Sequence, residues 1–263
     1  MNTITINYPG PPVDAVMPAT GQTILLGLST AIVLVTLVFA IRMAAKYKSA
    51  LPVLFMVAGF CTVILEPMVD NFGHIVFPEI GQIMLFKTHD RAIPVFVALI
   101  YAFYFPIVFL TLFPRIVNND FTAGLIWKSF FIALVPAWFL EMIPIRLHWW
   151  IYYDNQALWL WKNSLPLFWV FVNITCVFVA LTLIKFLYPL MKGWKQLLVI
   201  VLSPMGAVMG HFGAGFPFYN ATNSTASPLV VNLCGLVSIG LCFLIMMICV
   251  NVLVNKNCSY VRS

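Results

Sequence analysis

Seven stretches of this chain are apolar over lengths that approach the thickness of a lipid bilayer, and that leaves few ways to fold it. They run from about Thr23 to Ala45, Ala50 to Val69, Arg91 to Phe113, Thr122 to Ile143, Leu165 to Leu187, Lys195 to Phe212 and Pro228 to Val254. A helix needs about 20 apolar residues to cross the hydrocarbon core, and each run except the shorter sixth approaches that length. Inside lipid the backbone must satisfy its own hydrogen bonds, which for runs of this kind means helices. Composition agrees: 62% of the 263 residues are hydrophobic and 8% charged, with 23 Phe and 8 Trp, more apolar surface than a soluble domain of this size needs. The expected fold class is all-α, a polytopic membrane protein with seven transmembrane helices. Residues 1–22 read as a short polar tail, 23–254 as one membrane domain and 255–263 as a second tail. The first tail has no basic n-region or cleavage signal, so it is not expected to be a signal peptide.

The formal net charge of +6 does not point to nucleic acid, because the basic residues lie singly at the ends of apolar runs. Arg42, Lys46, Lys48, Arg115, Lys128, Lys185, Lys192, Lys195, Lys256 and Arg262 fall on one side of the expected topology. Lys87, Arg91, Arg146 and Lys162 fall on the other. The positive-inside rule therefore places the C-terminus in the cytosol and the N-terminus in a lumen. Two glycosylation sequons, at Asn220 and Asn223, lie before the seventh run, on the side this topology makes lumenal. Together they point to an integral protein of a eukaryotic secretory-pathway membrane, most simply the endoplasmic reticulum. The six cysteines form no CxxC pair and suggest neither a disulfide framework nor a zinc site.

The chemistry gathers at one end. Of eight acids only Asp120 is expected on the cytosolic side, and all four histidines fall on the lumenal side. Val63 to Phe77, VILEPMVDNFGHIVF, sets Glu66, Asp70 and His74 at steps of four, one face of a helix. Pro67 is expected to kink or end the helix beside Glu66. Acids at membrane depth are costly and therefore candidate functional groups, although capping of a helix end at the water interface is the plain alternative. Glu141 mirrors Glu66, with Pro144 nearby. It leads into a loop, Ile143 to Asn163, that carries Arg146, His148, Trp149, Trp150, Tyr153 and Asp154. An aromatic belt at the headgroup level accounts for part of that loop but not for the acids, Arg and His woven through it. These residues predict a cavity opening from the lumenal half, walled by the second and fourth spans and the loops beside them. Glu66, Asp70 and Glu141 are the catalytic candidates. His74, Arg146, His148, Trp149, Trp150, Tyr153, Asp154 and His211 are the substrate-contact candidates. His211 opens HFGAGFP, which reads as a turn closing the sixth span.

A carboxylic acid kept neutral by apolar surroundings can protonate an epoxide or alkene, and aromatic faces can stabilise the resulting cation. No aspartate-rich metal motif, HExxH, GxSxG or nucleotide loop is present, so neither a metal nor an organic cofactor is expected. Seven spans with isolated carboxylates facing an apolar cavity resemble the integral-membrane terpene cyclases of fungal meroterpenoid pathways, on the span layout and on Glu66, Asp70 and Glu141. The helix-embedded Trp-Glu context of the best-known branch is missing, so a divergent branch is the nearer match. The resemblance implies a membrane-bound isomerase of secondary metabolism that cyclises an apolar prenylated substrate. Its expected partners are that substrate, the lipid bilayer and enzymes of the same pathway. A proton-coupled transporter and a structural membrane protein are the competing readings. The first meets the absence of an internal inverted repeat, and the second predicts that the three acids tolerate amide substitution.

Overall fold

The structure, a computed structural model, describes residues 10–161 and 165–256; Lys162, Cys258, Arg262 and parts of both tails lie outside the described residues. It is mostly helical, with seven helical spans of 23 to 30 residues that are long and apolar enough to cross a membrane. In chain order these are α1 (Ala19–Tyr47), a broken second span, α4 (Val95–Asn118), α5 (Ala123–Arg146), a span centred on α6 (Leu167–Leu187), α7 (Val199–Thr222) and α8 (Pro228–Val254). Large apolar side chains such as Val35, Ile64 and Leu229 are about two-thirds or more exposed. Water would penalise such a surface, whereas lipid tails match it. The chain is a polytopic α-helical membrane protein.

The second span breaks where Pro67 predicts a break. Helix α2 (Leu51–Thr62) gives way to a single 3-10 turn at Val63–Leu65, and α3 (Glu66–Gly73) starts afresh with Pro67 in its first turn. Proline is tolerated there because its missing N–H has no partner to lose. The restart places Glu66 at a helix beginning within the apolar bundle, and α3 ends at His74, whose φ of 55° puts it in the left-handed region. His74 therefore leaves the helical face it was expected to share with Glu66 and Asp70.

The bundle has two kinds of neighbour. Helix α7 packs against α2 on one side and against α6 and α8 on the other, α1 and α4 pack with α2, and α5 packs on α6. The seam between α6 and α7 is held by small residues: a methyl group added at Gly206 would lie 2.4 Å from the Ala180 Cα, and one at Gly210 would lie 2.4 Å from the Cys176 Cα. Close backbone approach of this sort is how membrane helices gain dispersion contact. It also corrects the sequence reading of HFGAGFP. Those residues are no turn but the continuation of α7 to Thr222, with Pro217 inside the helix and Gly210 turned to α6.

Three short antiparallel ribbons, below the reach of any periodicity, cap the acid-bearing end. Strand β1 (Ile75–Val76) pairs with β4 (Ile151–Tyr152), β2 (Met84–Thr88) with β3 (Arg91–Pro94), and β5 (Trp159–Leu160) with β6 (Leu165–Pro166). In the first, Ile75 lies opposite Tyr152 and Val76 opposite Ile151. Gln156, almost fully buried, bolts this cap down. Its Nε2 donates to the Gly73 carbonyl at 2.6 Å and to the Tyr153 carbonyl at 3.2 Å, while its Oε1 accepts from the Trp169 indole at 3.1 Å.

Candidate functional site

Beneath that cap lies a cavity open on one side. Five elements of the bundle wall it: Glu66 and Val69 from α3; Val97, Ile100, Tyr101, Tyr104 and Phe105 from α4; Ala137, Leu140 and Glu141 from α5; Trp169, Asn173 and Cys176 from α6; and His211 from α7. The cap supplies Ile75, Phe77, Trp150 and Tyr152. The walls are apolar and aromatic with a few convergent polar groups, the usual make-up of a small-molecule site.

Glu66 and Glu141 reach this cavity from different helices and are held differently. Tyr101 donates its hydroxyl to Glu66 Oε2 at 2.5 Å, and among the described residues no side chain donates to Oε1. Glu141 receives a donor on each oxygen: the Tyr152 hydroxyl on Oε2 at 2.7 Å and the Asn173 amide on Oε1 at 2.8 Å. Burial pushes the Tyr152 phenol well above its ordinary value, and the charge of Glu141 adds to the effect. Tyr152 thus keeps its proton and remains a donor. The Tyr104 hydroxyl is buried, lines the cavity and has no hydrogen-bond partner among the described residues.

Asp70 is fully buried one turn behind Glu66, and neither of its carboxylate oxygens has a hydrogen-bond donor. Arg91, on β3 packed against α3, is only 5% exposed. Its guanidinium donates to the Tyr153 hydroxyl at 2.6 Å. Sequence reasoning counted Arg91 as a topogenic charge at a span end; the structure folds it inward on β3.

The substrate-contact candidates separate into groups. Trp150 and His211 line the cavity, and His211 Nδ1 lies 3.2 Å from the Tyr219 hydroxyl. His74 instead builds the cap: its Nδ1 pairs with Asp154 at 3.1 Å, its Nε2 meets the Asn223 side chain at 3.1 Å, and its ring stacks on Tyr153 at 5.0 Å. Trp149 packs its indole against Gly21 of α1, away from the cavity. Arg146 is exposed at the end of α5, and exposed His148 lines a second pocket with Asp154, Trp159 and the shared Trp150 and Tyr152. Asn220 is exposed on the last turn of α7. The Asn223 amide donates to the Phe72 and Tyr219 carbonyls at 2.7 and 2.9 Å. The polar and aromatic cavity residues that sequence reasoning missed are Tyr101, Tyr104, Trp169, Asn173 and Cys176. Asn173, a lone amide in FWVFVNITCVF, was the clearest available signal.

Among the described residues no group of three or more His, Cys, Asp or Glu side chains is placed to hold a metal ion. The fold and the cavity define a seven-helix membrane protein with two carboxyl groups facing one aromatic-walled chamber. No family model, curated protein or solved structure matches the chain.

Proposed function

We propose that this protein is a membrane-bound cyclase acting on an apolar prenylated substrate by acid initiation, in a secretory-pathway membrane with the capped end facing the lumen. The observation that carries the reading is the pairing of Glu66 and Glu141 in one cavity with unequal donor sets. A carboxyl group with one bare oxygen can carry a transferable proton, while a carboxylate that accepts on both oxygens is set up to remain an acceptor. Glu66 is assigned the acid and Glu141 the base.

The atoms balance without a co-reactant. Glu66 gives its proton to the epoxide oxygen, the C–O bond breaks toward that oxygen, and an alcohol forms. A substrate alkene attacks the carbon left cationic and closes the ring. The faces of Tyr101, Tyr104, Trp150 and Trp169 stabilise the positive charge in transit, since aromatic quadrupoles attract cations. Glu141 takes the proton lost when the final cation collapses to an alkene or enol ether, and that proton passes back to Glu66 by exchange before the next turnover, so the protein is regenerated. Product and substrate share one mass. An alkene terminus substitutes for the epoxide in the same scheme, with the proton added to carbon.

The test is incubation of membranes containing the protein with prenylated phenols and their terminal epoxides. The expected result is an isomer of unchanged mass that is absent from membranes lacking the protein. Failure to convert any member of the series removes the cyclase reading.

A further inference from the structure

We propose that the cavity is entered sideways from the bilayer, through the gap between α4 and α5, and therefore takes a ligand dissolved in the membrane's apolar layer. The proposal rests on the reading above only in taking this cavity as the place where substrate is held.

The packing carries it. Helices α4 and α5 are joined by just residues 119–122, and helices so linked ordinarily pack side by side as antiparallel neighbours. Here they make no extended contact with each other: α4 packs on α1 and α2, and α5 packs on α6 and α8. Ring contacts divide the same way. On α4, Phe109 meets Phe55 of α2 at 5.4 Å. On α5, Phe130 meets Phe178 of α6 at 5.8 Å, and Trp127 meets Phe243 of α8 at 6.2 Å. The faces that α4 and α5 would otherwise press together line the cavity, with Ile100, Tyr101 and Tyr104 on one side and Ala137, Leu140 and Glu141 on the other.

Packing is tight in two other directions. Toward the capped end, Phe77, Phe96 and Trp150 pack on one another at 5.8 to 6.4 Å, and the β1–β4 ribbon and the Gln156 bolt sit over them. Behind the cavity stands the glycine-packed seam of α6 and α7. A flexible apolar molecule already partitions into lipid, so a wall open to lipid supplies it without passage through water.

The experiment places the protein in lipid nanodiscs with a diazirine-bearing farnesol analogue dissolved in the bilayer, followed by illumination and mapping of the modified residues. The expected result is labelling of Ile100, Tyr104, Ala137 and Leu140 that excess unlabelled farnesol suppresses. Ala137→Trp, which plugs the gap, should lower that labelling to the competed level. Val201→Trp, on the exposed face of α7, should leave it unchanged. If Ala137→Trp does not fold, the competed labelling pattern of the parent decides. Labelling that competitor does not suppress, or that falls on Phe77 and Trp150 with none on α4 and α5, overturns the proposal. Competed labelling on α4 and α5 without isomer formation removes the cyclase reading and leaves the portal. Turnover without such labelling removes the portal alone.

Discussion

Glu66 and Glu141 are the same side chain in the same cavity, and the number of donors reaching each distinguishes them. Replacing either with Gln keeps its shape and removes its proton chemistry. Each variant should lose about 10²- to 10⁴-fold in turnover, measured by product formation, while retaining a parent-like melting temperature. Asp70→Asn should reduce turnover less than either, because Asp70 is fully buried and does not line the cavity. A few-fold effect from both Gln variants would defeat the assignment. The acids were legible because a charged residue inside an apolar run has few innocent explanations. Their tyrosine donors were not. Tyr101 sits in IYAFYF and Tyr152 in HWWIYYD, where a phenol reads as one more aromatic, and only the fold reveals which hydroxyl meets a carboxylate. Arg91 was misread because linear position marks a span end but not the direction in which the chain then turns.

Seven spans could be read from runs of apolar residues because bilayer thickness fixes their length, and the Pro67 break could be read because proline removes a backbone donor. The end of α7 could not. Glycine and proline signal turns in water, but along α7 Gly206 and Gly210 serve contact with α6 and the helix continues through Pro217. The close approach of Gly210 to Cys176 yields a direct prediction. Gly210→Leu should overpack the seam and destabilise the protein by about 1 to 3 kcal/mol or more, read as a lowered melting temperature in detergent. Gly27→Leu, at a position on α1 with nothing within 4 Å of an added methyl, should leave the melting temperature near the parent's. The two-residue ribbons of the cap had no sequence signature, since alternation needs a longer stretch to show itself.

An odd number of spans sets the two ends of the chain on opposite faces of the membrane, and the basic residues decide which end faces the cytosol. In sealed microsomes a C-terminal tag should be digested by added protease; protection of the tag would reverse the orientation. Glycosidase should shift the mass of the protein only when Asn220 or Asn223 is intact. Of the two, Asn220 should carry more of the modification, because the amide nitrogen of Asn223 is engaged by two carbonyls in the folded protein. Equal occupancy of the two sequons would show that attachment precedes formation of those contacts.

Gln156 ties the end of α3, the loop at Tyr153 and Trp169 of α6 into one unit, so the ceiling of the chamber moves with its walls. A prenyl chain has many folded shapes of nearly equal energy, and a mould of fixed outline admits few of them. The consequence concerns handedness. The ring should form as a single enantiomer, and Gln156→Ala should erode that enantiomeric excess on chiral chromatography before it slows the reaction. A racemic product from the parent protein would mean that the substrate folds freely in the chamber and the ceiling shapes nothing.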